Sequence, residues 1–123
     1  MDAITSLTPG VSGEGVYQVR GDEAFLAGHF PGRPLLPGVI LIEALAQLGG
    51  VVAQSDPSIP PLRDLMLAAV RSAKITGSAV PGETLTIRAQ IAGRMAGLVQ
   101  VQGDICAGAR PVLTAQITLS GTP

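Results

Sequence analysis

Between residues 83 and 91 the chain reads ETLTIRAQI, with apolar and polar positions in alternation. Leu85, Ile87, Ala89 and Ile91 fall to one side, and Thr84, Thr86, Arg88 and Gln90 to the other. A period of two predicts a strand with one covered face. GLVQVQGDI (97–105) and PVLTAQITL (111–119) repeat the pattern, the latter with Leu113, Ala115, Ile117 and Leu119 together. The short links GRMAG and AGAR predict hairpins, and the Pro-Gly pair of VPGE (80–83) predicts a turn. LMLAAVRSAKIT (65–76) is long enough for a bent strand, and VYQVR (16–20) reads as a short one. Ahead of it, Pro9 and Gly10, Gly13 and Gly15 predict a loop.

The period changes in VILIEALAQLGGVVA, which is apolar on every side of a helical projection. This predicts a helix from about residue 37 to residue 54, wrapped by other structure, with Pro37 suited to its first turn. Gly49-Gly50 lowers helical propensity; the pair either lets another backbone approach or bends the helix. Residues 55–64 read as a connecting loop. Residues 21–37 show neither period, and Pro31, Pro34 and Pro37 recur at every third position, predicting a stiff extended segment. The order is strand, buried helix, then four antiparallel strands. That is an α+β arrangement with a sheet around one helix, in one domain over residues 1–123.

Composition adds an assembly expectation. Apolar residues make up 46% of the chain and charged residues 14%, a lean polar coat that points to apolar surface covered by another subunit. A net charge of −1 and an aromatic complement of Tyr17, Phe25 and Phe30 argue against nucleic acid as a partner. Cys106 is the lone cysteine, so no intrachain disulfide forms, and it is expected as a small core residue. One His and one Cys do not make a metal cluster. Residues 1–15 lack the basic start and apolar centre of a signal peptide. The longest apolar run, residues 39–53, contains Glu43 and Gln47 and is too short to span a bilayer. The expected location is the cytoplasm, away from membrane.

Glu43 is the anomaly of the apolar helix. A buried carboxylate is costly unless paired or protonated, and burial raises its pKa, which suits a general acid. Alternatively it faces solvent or pairs with an arginine. Gln47 lies one turn on, on the same face, placed to hydrogen-bond the carboxyl. His29, the only histidine, precedes Phe30-Pro31 and stands fourteen positions before Glu43; it is either a solvated loop residue or the base of an acid–base pair. Gly38 opens the helix, where an unpaired N–H can polarise a carbonyl, or it simply permits the turn. Arg33, Arg71 and Lys74 are solvated residues or contacts to an acidic partner. Neither a nucleophile elbow nor a phosphate loop is present.

GHFPGRPLLPGVILIEALAQ (28–47) resembles the active-site segment of the β-hydroxyacyl-acyl-carrier-protein dehydratases of type II fatty acid synthesis. The His-Phe-Pro, the Pro-Gly before the helix and the Glu-Ala-x-Ala-Gln all match, at the same interval. DEAFLAGHFPG and AAVRSAKITGSAVPGE resemble the flanking segments, and the likeness covers roughly residues 15–120. It implies the hot-dog fold and a dimer in which His29 of one subunit and Glu43 of the other line a shared tunnel. The implied reaction takes a (3R)-3-hydroxyacyl thioester to the trans-2-enoyl thioester without a cofactor or metal. His29 would be the base and Glu43 the acid, with Gly38 polarising the carbonyl and Gln47, Phe30 and Pro37 in support. An acyl carrier protein would present the substrate on its phosphopantetheine arm, for which Arg33, Arg71 and Lys74 are candidate contacts.

Glutamate at position 43, where related dehydratase-isomerases carry aspartate, implies plain dehydration. The family's usual opening segment is not in this chain, and tunnel aromatics are sparse. A dehydratase of a polyketide or polyene pathway, paired with a different hot-dog subunit, would read similarly. Assembly as a homodimer, a heterodimer or a trimer of dimers fits the resemblance. The competing expectations are a hot-dog hydratase or thioesterase acting on CoA esters, and a non-catalytic hot-dog subunit that binds acyl groups or a partner.

Overall fold

The computed structural model describes residues 1–20 and 38–123 of the chain. Strands β1 (Ala3–Thr8) and β2 (Ser12–Gln18) come first, followed by helix α1 (Gly38–Gln54). Then come β3 (Arg63–Ile75), β4 (Thr84–Met95), β5 (Leu98–Ala107) and β6 (Arg110–Thr122). The six strands form one sheet in the order β1-β2-β4-β5-β6-β3, and every pairing is antiparallel. The helix packs against one face of this sheet, the hot-dog arrangement.

The alternation read from the sequence fixes which residues meet. Leu85, Ile87 and Ala89 of β4 are buried, as are Leu113, Ala115, Ile117 and Leu119 of β6. They pack with Leu41, Leu45, Leu48 and Val52 from the helix in one hydrophobic cluster. Fully burying each such aliphatic side chain contributes about 1.5–3 kcal/mol, so this interface is the main source of stability. Gly49 is buried, and a Cβ there would lie 2.9 Å from Cγ1 of Val101 on β5. The missing side chain lets the helix seat closely on the sheet.

The far end of the helix is tied down by specific bonds. Arg94 Nη1 donates to the Ala53 carbonyl at 2.8 Å, placing a cation at the negative end of the helix dipole. The Gln54 side chain donates to the Leu62 carbonyl at 2.7 Å and accepts from the Leu62 N–H at 3.1 Å. Gly10 N–H donates to the Val52 carbonyl at 3.1 Å. The Arg94 and Gly10 bonds satisfy carbonyls that a helix end otherwise leaves open.

The sheet's other face is polar. Glu14, Arg88, Asp104, Thr114 and Lys74 lie in register across five strands, and Arg88 Nε donates to Glu14 at 2.8 Å. Glu83 accepts from the Val80 N–H at 2.9 Å and from Arg110 Nη2. These donors hold its carboxyl below the usual glutamate range, the Val80 N–H first.

Two expectations are corrected. Residues 3–18 form a hairpin, not a loop followed by a strand at 16–20. Cys106 is half-buried and sits between the inward residues Ile105 and Ala107, so it points to the outer face instead of the core. Among the described residues one stripe of the helix, with Val39, Glu43, Gln47 and Val51, remains exposed.

Candidate active site

The exposed stripe of α1 carries two polar side chains, Glu43 and Gln47. Glu43 and Gln47 lie one turn apart and so project from the same side of the helix. Continuing at helical spacing, Gly50 and Gln54 fall on that side too. Together with Ala46 and Val51, these residues form one wall of a cavity of about 580 Å³. Leu65, Met66 and Leu67 of β3 and Leu119 of β6 form the opposite wall. The cavity is thus a groove, with polar groups at both ends of the helix wall and aliphatic groups between them.

A smaller cavity of about 170 Å³ lies on the other flank of the same two residues. There Glu43 and Gln47 meet Met1, Tyr17, Leu85 and Ile87. Glu43 therefore stands on a ridge between two apolar hollows, and among the described residues it is exposed instead of buried. Among the described residues no hydrogen bond joins Glu43 to Gln47, and no arginine pairs with Glu43. A carboxyl at the mouth of an apolar groove can exchange a proton with a bound molecule whose remainder lies in the groove.

Gly38 is the first residue of the helix, about 7 Å of helical rise before Glu43. A Cβ at Gly38 would collide with Cδ1 of Ile75, at the end of β3. The glycine thus has a packing reason of its own, while its place at the positive end of the helix dipole keeps it available to a developing negative charge.

His29, Phe30, Arg33 and Pro37 lie outside the described residues. Arg71 and Lys74 are exposed on β3. Lys74 pairs in register with Thr114, and Arg71 lines a polar hollow with Gln100, Gln102 and Gln116. Both basic residues belong to the face opposite the helix, so the structure does not bring them beside Glu43. Tyr17 and Gln54 are lining residues that the sequence reading did not single out. Gln54 was accessible to it, since positions 43, 47, 50 and 54 continue one helical stripe. Among the described residues no group of three or more His, Cys, Asp or Glu side chains is placed to hold a metal ion. Nor is any described helix long and apolar enough to cross a membrane.

The FabA-like domain family model matches residues 1–116. Among curated proteins, the chain is 36% identical over 110 residues to the 3-hydroxyacyl-[acyl-carrier-protein] dehydratase FabZ of Clostridium acetobutylicum, covering 85% of this chain and 77% of that one. It is 38% identical over 91 residues to the FabZ dehydratase of Chloroflexus aggregans, covering 74% and 62%. Among solved structures, the dehydratase heterocomplex ApeI:P from Xenorhabdus doucetiae superposes with a TM-score of 0.80 at 16% identity, over 98% of this chain and 80% of that chain. A hypothetical thioesterase with coenzyme A from Streptococcus pneumoniae TIGR4 gives 0.74 at 16% identity, over 98% and 84%. At that identity the two structural likenesses are of fold.

Proposed function

The chain belongs to the FabA-like family, and from that membership we propose that it removes water from 3-hydroxyacyl thioesters carried on an acyl carrier protein. It is a hydro-lyase, like the dehydratases it matches. The observation that carries the reading is the position of Glu43 and Gln47 at one end of an apolar groove along the helix. A 3-hydroxyacyl thioester has that same division: a polar, reacting head and an aliphatic tail.

In the proposed reaction the α-carbon loses its proton to His29, and the electron pair moves toward the thioester carbonyl. The N–H of Gly38 offsets the charge gathering on that oxygen, as unpaired donors at a helix start do. As the α–β double bond forms, the β-carbon–oxygen bond breaks. The hydroxyl leaves as water with a proton from Glu43, and Gln47 holds the Glu43 carboxyl toward the groove. Phe30 and Pro37 support the segment that presents His29. His29 then gives its proton to solvent and Glu43 takes one up, which resets both groups with no net change in protons.

A second copy of the chain completes the site. Its support is uncovered apolar surface on β3 and the helix: Met66 is 62% exposed, Ile75 53% and Val39 70%, far from what a monomer's apolar groups favour when clustered. Among the described residues strand β3 pairs with β6 alone and stands at an edge of the sheet. A partner laid against this edge would roof the groove and bury Glu43, giving the desolvated setting in which a carboxyl acts as an acid. His29 of one copy would then face Glu43 of the other, with the carrier protein docking through Arg33, Arg71 or Lys74.

The test is turnover of 3-hydroxyacyl-acyl-carrier-protein to the enoyl product, followed by mass spectrometry of the carrier. The native chain is expected to convert the substrate, and Glu43→Gln and His29→Ala to lose all but a trace. Full activity in Glu43→Gln would remove the acid from this scheme.

A further inference from the structure

Adjacent glycines in the middle of a helix are disfavoured, because each is less helix-stabilising than alanine. The structure explains only one of the pair. At Gly49 a Cβ would press on Val101, at 2.9 Å and 3.0 Å from its two γ-carbons. At Gly50 a Cβ would meet a single atom, Cδ2 of Leu65, at an ordinary 3.5 Å. Packing within the chain therefore leaves room for a side chain at position 50. What lies beside it is the groove, whose wall Gly50 forms between Glu43 and Gln54.

From Glu43 to Gly50 the helix rises roughly 10 Å, and to Gln54 roughly 16 Å. The far end is closed by a fixed polar group: both atoms of the Gln54 amide are bonded to the Leu62 backbone, at 2.7 Å and 3.1 Å. Beyond Gln47, the walls between these ends are apolar. We infer that Gly50 determines acyl-chain length, its missing side chain keeping the groove open so that a long tail passes it and ends near Gln54. This rests on the dehydratase reading for the identity of the tail. A short acyl group anchored at Glu43 would end before reaching position 50, whereas a palmitoyl-length tail would run past it.

The experiment compares the native chain with Gly50→Ala and Gly50→Leu on butyryl-length and palmitoyl-length 3-hydroxyacyl-acyl-carrier-protein. The readout is the ratio of kcat/KM for the long substrate to that for the short one. Filling the groove with a leucine is expected to lower that ratio by about tenfold to a hundredfold, the cost of overpacking expressed as a rate, and alanine by less. An unchanged ratio in Gly50→Leu overturns the inference. So does disruption of the assembly by Gly50→Ala in sedimentation, since Gly50 would then serve the subunit interface.

Calorimetry with saturated butyryl- and palmitoyl-pantetheine separates this inference from the dehydratase reading. If the native chain turns over neither substrate but prefers palmitoyl-pantetheine, and Gly50→Leu abolishes the preference, the groove assignment stands and the reaction falls. If the native chain dehydrates both substrates and Gly50→Leu keeps the native length profile, the reaction stands and the groove assignment falls.

Discussion

Replacing Gly49 and Gly50 singly by alanine separates helix propensity from packing at two adjacent positions. Either substitution removes a glycine from a helix interior, a gain of about 0.8–1.0 kcal/mol. At position 50 nothing opposes that gain, because the new methyl meets only Leu65 Cδ2 at 3.5 Å. At position 49 the methyl sits 2.9–3.0 Å from the γ-carbons of Val101. Valine is stiff about its first side-chain torsion, so the strand or the helix has to move, at about 1–3 kcal/mol. Propensity cancels in the comparison, and Gly49→Ala should be less stable than Gly50→Ala by that same amount. Urea unfolding at fixed protein concentration measures it, since assembly makes stability concentration-dependent. Repeating both in a Val101→Ala background should shrink the gap, because the opposing methyls are gone. Equal effects at the two positions, or a gap that persists without Val101, would refute the seating of the helix on β5.

The helix end and the strand ends yield two further expectations. Arg94→Met removes the charge-assisted bond to the Ala53 carbonyl while keeping most of the aliphatic stem, and should lower stability by about 1–2 kcal/mol in denaturant titration. Glu83, held below its ordinary range by the Val80 N–H and by Arg110, stabilises the fold fully above the ordinary glutamate pKa near 4.5. That contribution is lost as pH falls through the lower folded value. Thermal melts between pH 6 and pH 3 should therefore show Glu83→Gln less acid-sensitive than the native chain.

Strand parity carried most of the fold from the sequence. In β4, β5 and β6 each apolar residue of the alternation is inward, and the turns fall at Ala96-Gly97 and Gly108-Ala109. The same parity would have placed Cys106 outward, between Ile105 and Ala107, but its chemistry was given more weight than its position. The hairpin of β1 and β2 was hidden for a different reason. Every residue of β1 is exposed, so no alternation marks it. The glycines of β2 signalled a loop although at least one serves close packing: a Cβ at Gly13 would lie 2.8 Å from Val52. Glycine's meaning there depends on a helix about forty residues away, which no local pattern reveals.

The site divides similarly. Glu43 and Gln47 were legible as a polar pair in an apolar helix, and the groove beside them follows from their shared face. Its state was not legible. Periodicity registers that a helix is apolar all round, but not whether its own chain or a second one covers a given side, and among the described residues Glu43 is exposed. Arg71 and Lys74 were read by charge alone, and the pairing of Lys74 with Thr114 puts that residue on the far face.

We propose a dehydratase site assembled from His29 of one copy and Glu43 of another. Mixing two inactive variants, His29→Ala and Glu43→Gln, after denaturation and joint refolding tests it directly. Random pairing makes half the dimers mixed, and a shared site leaves one of the two sites in each mixed dimer intact, restoring about a quarter of native turnover on 3-hydroxyacyl-acyl-carrier-protein. A mixture as inactive as its parents, with mixed dimers verified by mass spectrometry, would contradict the claim.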